Sequence, residues 1–163
     1  WIPRSLGIDV SEIAPHRAIQ VVSCGVPYLM VPILSRAAVD AVAVDRKGIA
    51  RCLAAAGADE CPVFVFTLDE RGEGEAVYSR MLGPSLGIAE DPATGSAAGP
   101  LGSYLLHHRV LTPRAARAII NLQGVAMGRP SRIHISIDGA PGAITRVRVG
   151  GKAVLVGSGE LTA

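Results

Sequence analysis

Residues Glu90-Asp91-Pro92-Ala93-Thr94-Gly95-Ser96-Ala97-Ala98-Gly99 bring a carboxylate, a hydroxyl and two glycines to the predicted start of one helix. That combination makes an anion site with a proton-transfer group beside it. Asp91 precedes a proline and is biased toward an extended backbone, whereas Pro92 lacks an N–H and suits a first helical turn or the turn leading into one. Thr94, Gly95 and Ser96 then offer backbone N–H groups that a helix cannot use internally. Those donors and the positive end of the helix dipole attract a carboxylate or phosphate, and Gly95 lacks the side chain that would hinder close approach. The same residues also make an ordinary helix start, with Asp91 as N-cap and Pro92 in the first helical position. Capping alone leaves the two glycines unexplained, since each weakens a helix by roughly 1 kcal/mol. A backbone that accepts this cost usually makes a close contact.

The elements that must position this motif follow from periodicity. Ser5 to Ile8 is a short helical or turn-like opening, and Arg17 to Ser23 and Tyr28 to Leu34 are apolar, β-branched strands around a Cys24-Gly25-Val26-Pro27 turn. Ser35 to Val42 and Asp45 to Ala56 carry helical spacing behind capping residues, and Gly57 closes the second helix. Pro62 to Leu68 is a strand whose hairpin partner is Glu75 to Met81, across the polar loop 69–74. Gly95 to His108 is the longest apolar helical stretch and is predicted to be central and buried on most sides. Ala118 to Leu122, Ser131 to Ile137 and Ile144 to Val149 are strands, the last joined by Gly150-Gly151 to Lys152 to Val156 as a two-residue hairpin. Adjacent hairpins and grouped helices predict an α+β fold rather than a doubly wound parallel sheet.

Composition narrows the function. The 163 residues are 49% hydrophobic and 18% charged, enough for one domain spanning 1–163 with a full core. Aromatic residues make up only 4%, so that core must be built mainly from Val, Ile, Leu and Ala. A net charge of +2 without a run of Lys and Arg argues against a nucleic-acid partner. No apolar stretch approaches the ~20 residues of a membrane span, and a cytoplasmic location is expected. Cys24, Cys52 and Cys61 are odd in number and lack CxxC spacing, so they read as buried thiols in a reducing compartment. His107 and His108 fall at the C-terminal end of the central helix, where the dipole favours a cation, and read as structural. His16 and His134 stand alone, and no metal is expected. Arg129, in a Gly-Arg-Pro turn, orients a carboxylate or stabilises the turn, and is not placed in the catalytic set. Gly150-Gly151-Lys152 lacks the upstream glycine and following Ser or Thr of a phosphate loop. No cofactor is expected.

Three segments carry a family resemblance. Asp91-Pro92-Ala93-Thr94-Gly95-Ser96-Ala97 resembles the second-domain active-site motif of the phenazine-biosynthesis PhzF-like isomerases, which have the diaminopimelate-epimerase-like fold. Gln123-Gly124 with Met127-Gly128-Arg129-Pro130-Ser131 resembles that family's next strand-turn signature, and Val147 to Val154 resembles its closing hairpin. The resemblance implies a curved, mostly antiparallel sheet wrapped on a central helix, equivalent to the C-terminal half of a two-domain protein. It also implies cofactor-independent proton transfer on a small carboxylic acid, in a cleft whose general base and Gly-His pair belong to the other half. Only Asp91 and Ser96 match the family's catalytic positions, with Thr94, Gly95 and Ser96 as substrate contacts. Alone, such a chain is expected to be weak or inactive. The expected partners are the small acid and either the N-terminal half or a second copy in a homodimer. The alternative is a non-catalytic truncated half acting as a self-associating structural or small-acid-binding module. Cysteine-dependent racemases of this fold place a thiol where this chain has Pro92, which disfavours a two-thiol mechanism.

Overall fold

The computed structural model describes residues 1–68 and 77–161. The first helix, α1 (Ile2–Ser5), begins three residues earlier than expected, with Pro3 in its first turn. Strands β1 (Gln20–Ser23) and β2 (Pro27–Pro32) form the expected hairpin. Helices α2 (Arg36–Ala41) and α3 (Arg46–Ala55) cross over to β3 (Val63–Leu68), which runs parallel to β2. Ser35 caps α2, its hydroxyl accepting from the Ala38 N–H at 3.1 Å. Strand β4 (Val77–Gly83) pairs antiparallel with β3, while the anticipated loop 69–74 and the first residues of the predicted strand lie outside the described residues.

Next come β5 (Ile88–Asp91), α4 (Gly95–His107), β6 (Ile119–Gln123), β7 (Ser131–Ala140) and β8 (Ala143–Gly150). Among the described residues the sheet has eight strands in the order β1-β2-β3-β4-β6-β7-β8, with β5 also on β4, and only β2/β3 and β4/β6 are parallel. It curls around α4, whose residues 97–106 are all buried, as an apolar and small-residue helix requires. One core layer joins α4 to Tyr28, Phe64, Phe66, Ile119, Ile135 and Ile137, and Phe66 meets Tyr104 edge to face at 5.4 Å. The other packs α1, α2 and α3 on the convex side, through Leu29, Val31, Val39, Ile49, Val63 and Leu82. The fold is therefore α+β, with a mostly antiparallel half-barrel on a central helix.

The glycines of α4 allow that closeness. A Cβ at Gly102 would stand 2.7 Å from Ile135 Cγ2 and 2.8 Å from Ile137 Cδ1. At Gly99 it would stand 3.1 Å from Val147 Cγ1 and 3.5 Å from Cys24 Sγ, so both margins of the curled sheet reach the helix at one point.

Three expectations change. The final hairpin is β7/β8, turning at Pro141-Gly142, where Gly142 has φ +82; the fixed φ of proline followed by a positive-φ glycine suits a tight turn better than Gly150-Gly151. Residues 152–156 form no strand, and Val154, Leu155 and Val156 are 83–95% exposed. Cys24 is exposed and Cys52 half-buried; only Cys61 is buried, and burial pushes its thiol up. His108 is also held below its ordinary value by burial, with His107 adding to the effect, despite its place at a helix C-terminus.

Candidate functional site

The site forms where two strands end against one edge of β4. Strand β5 runs antiparallel to β4 and ends with Asp91 opposite Met81, while β6 runs parallel to β4 and ends with Gln123 opposite Ser79. They approach from opposite directions, so Asp91 and Gln123 meet at the gap between them. From there the chain passes through Pro92, Ala93 and Thr94 into α4. The helix starts at Gly95 with Thr94 as N-cap, and Asp91 belongs to a strand rather than capping the helix.

Gln123, fully buried, holds this turn with both ends of its amide. Its Nε2 donates to the Asp91 carbonyl at 2.7 Å and to Thr94 Oγ1 at 2.9 Å, and its Oε1 accepts the Thr94 N–H at 3.3 Å. Because Thr94 Oγ1 accepts from Gln123, its own proton is directed to Asp91 Oδ2, 2.5 Å away. The Asp91 carboxylate is thereby fixed through one oxygen, and Oδ1 has no partner among the described residues. Gly124 seats the same turn. At φ +80 its missing Cβ would lie 2.4 Å from the Arg129 carbonyl oxygen and 2.7 Å from that of Pro92, a position only glycine fits. The turn after it closes through the Met127 and Arg129 N–H groups, both donating to the Gly124 carbonyl.

Upstream, Glu90 is anchored by a bidentate ion pair with Arg80, Nε to Oε1 at 2.9 Å and Nη2 to Oε2 at 2.8 Å. The same guanidinium donates through Nη1 to the carbonyls of Val39, Asp40 and Val42 at the end of α2. This buried cation ties β5, and so Asp91, to the convex layer.

On the other side of the loop, Gly95 and Ser96 are exposed, and nothing lies within 4 Å of the place a Gly95 Cβ would take. The N–H groups of Ala97 and Ala98 both donate to the Thr94 carbonyl, whereas α4 supplies no acceptor for those of Gly95 and Ser96. Ser96 Oγ lies 2.6 Å from the hydroxyl of Tyr28 on β2. The arrangement is a fixed carboxylate followed, on the same loop and first helical turn, by two open amides at a helix N-terminus and a hydroxyl.

Against known proteins, a family model described as phenazine biosynthesis-like protein matches residues 5–159. The chain belongs to that family. An uncharacterized isomerase of Escherichia coli, YddE, is 31% identical over 157 residues, covering 95% of this chain and 51% of the relative. The trans-2,3-dihydro-3-hydroxyanthranilate isomerase of Pseudomonas chlororaphis is 42% identical over 90 residues, 55% of this chain and 32% of that enzyme. Among solved structures, a predicted epimerase from Pseudomonas aeruginosa superposes with TM-score 0.63 at 29% identity, covering 97% of this chain and 52% of that one. A PhzF-family protein from Bacillus anthracis superposes with TM-score 0.69 at 16% identity, covering 95% and 54%. The chain spans about half the length of the relatives it matches along its whole extent.

Within this phenazine biosynthesis-like chain, Asp91, Thr94, Gly95 and Ser96 lie on one loop and first helical turn. Thr94 differs from the expectation of an open donor: it is buried, with its N–H and hydroxyl both engaged inside the loop. Gln123 was legible only as part of a signature, and nothing in the sequence pointed to Tyr28 or Arg80. Arg129 is exposed, with its backbone closing the turn and its carbonyl accepting from Ser131 Oγ at 3.2 Å. Among the described residues, no three of His, Cys, Asp and Glu gather closely enough to hold a metal ion. No helix there is long and apolar enough to cross a membrane.

Proposed function

We propose that this chain forms one wall of an isomerase site that moves a proton on a small carboxylic acid without a cofactor. The acid's carboxylate rests on the Gly95 and Ser96 amides and the Ser96 hydroxyl, where the helix dipole also favours negative charge. Asp91 exchanges the proton through Oδ1, and the opposing proton-transfer group comes from a segment or copy outside the described residues. One proton leaves a carbon and one returns elsewhere, so the product is an isomer and no oxidant or reductant is needed. The observation that carries this reading is the Gln123–Thr94–Asp91 chain, which fixes a carboxylate beside two amides that the helix leaves open. Similarity to isomerases of the family supports it.

The test is deuterium uptake from D2O into trans-2,3-dihydro-3-hydroxyanthranilate, followed by NMR, with the first half of the P. chlororaphis isomerase supplied in trans. Asp91→Asn is expected to slow uptake about hundredfold or more. Uptake by this variant within threefold of the parent, or no uptake by the parent, contradicts the catalytic reading.

A second reading is a self-associating, small-acid-binding module without catalysis. It is favoured by exposed apolar residues beside the site: Ile88 opens the strand that ends at Asp91, and Val125 and Met127 sit in the turn that Gly124 presses on Pro92. Saturable binding and dimerisation without deuterium uptake would select it.

A further inference from the structure

Tyr28 is the one aromatic hydroxyl that the structure brings to the start of α4, and it comes from a distant strand. The ring is only 3% exposed and is part of the core around α4. Its hydroxyl has one partner among the described residues, Ser96 Oγ at 2.6 Å. Either oxygen can donate in principle, but their surroundings differ. If Ser96 donated, the Tyr28 proton would be left at a buried ring with no acceptor. If Tyr28 donates, the remaining proton belongs to Ser96, which is exposed. A helical serine often turns its proton back to the carbonyl four residues earlier, yet here that residue is Pro92, outside the helix. Nothing in α4 competes for it.

From this we infer that Tyr28 is a positioning residue: by donating to Ser96 Oγ, it aims the Ser96 proton out toward a carboxylate held on the Gly95 and Ser96 amides. The anion then meets three donors whose directions are set before it arrives, two by the helix and one by Tyr28. The inference rests on the proposed small-acid site, and the ligand class follows from the donor set: a planar carboxylate with two oxygens to share among three donors.

The experiment measures affinity of the full chain for anthranilate, a stable aromatic carboxylate, by calorimetry. Four proteins are compared: the parent, Tyr28→Phe, Ser96→Ala and the double variant. Phenylalanine keeps the packed ring and removes only the hydroxyl. Tyr28→Phe is expected to weaken binding about five- to tenfold, Ser96→Ala at least as much, and the double variant no more than Ser96→Ala, because Tyr28 acts only through Ser96. A purely structural role for Tyr28 would instead add its loss to that of Ser96→Ala. Binding by Tyr28→Phe within twofold of the parent, or additive losses in the double variant, overturns the inference and leaves the proposed site standing. A parent chain that does not bind anthranilate contradicts both, since Ser96 then has no anion to face.

Discussion

Gln123 does more for the site than its place in the sequence suggests. One buried amide satisfies the Asp91 carbonyl, the Thr94 hydroxyl and the Thr94 N–H, and through Thr94 it also fixes the Asp91 carboxylate. Leaving buried polar groups without partners costs about 1 to 3 kcal/mol each, so Gln123→Ala is expected to destabilise the chain by about 2 to 4 kcal/mol. Urea unfolding checks this, and a loss under 1 kcal/mol would show that water replaces the amide without penalty. The sequence revealed the groups that can face a ligand, because Asp91, Gly95 and Ser96 lie together on one short segment. It hid those that hold the segment. Gln123 and Tyr28 reach it from 29 and 68 residues away, and no local pattern encodes a side-chain contact over that separation.

At the scale of elements, the small residues of α4 have two different explanations. Gly95 opens the first turn to the exterior, while Gly99 and Gly102 let the helix sink onto the sheet. The cost noted for glycine in a helix is thus offset by packing at two of the three positions. Gly102→Ala separates these effects. Alanine is favoured over glycine in a helix by about 1 kcal/mol, but overpacking against Ile135 and Ile137 costs about 1 to 3 kcal/mol, so the variant should be less stable than the parent. Ile137→Val removes the Cδ1 atom that the new methyl would meet at 2.8 Å, and the double variant should recover at least 0.5 kcal/mol relative to additivity. Strict additivity in thermal or urea unfolding would show that the helix moves away instead. Strands with alternating apolar residues and the central helix were readable because their periodicity is their cause. Strand β5 was not, since Ile88-Ala-Glu-Asp91 has no alternation and is extended by its pairing with β4. The Gly150-Gly151 hairpin was misread because glycines show where a chain can turn, not whether the next residues find a strand to pair with.

For the whole molecule, the curled sheet buries α4 from residue 97 to residue 106 and leaves its N-terminal turn open, on the segment that follows the carboxylate delivered by β5. That turn carries the open amides and the Ser96 hydroxyl, and the acid precedes it on the same short segment. This is also where Ile88, Val125 and Met127 are exposed, as expected of a wall that another surface covers. The central claim is that this surface takes a small carboxylate. Amide-resolved NMR titration of the chain with anthranilate tests it most directly. The account predicts that the largest saturable shifts fall on the amides of residues 95 and 96, and that Ser96→Ala, which keeps both amides and loses the hydroxyl, needs at least about five- to tenfold more anthranilate to saturate them. Shifts that never saturate, or that map instead to the pocket lined by Arg117, His134 and Arg148, would contradict it.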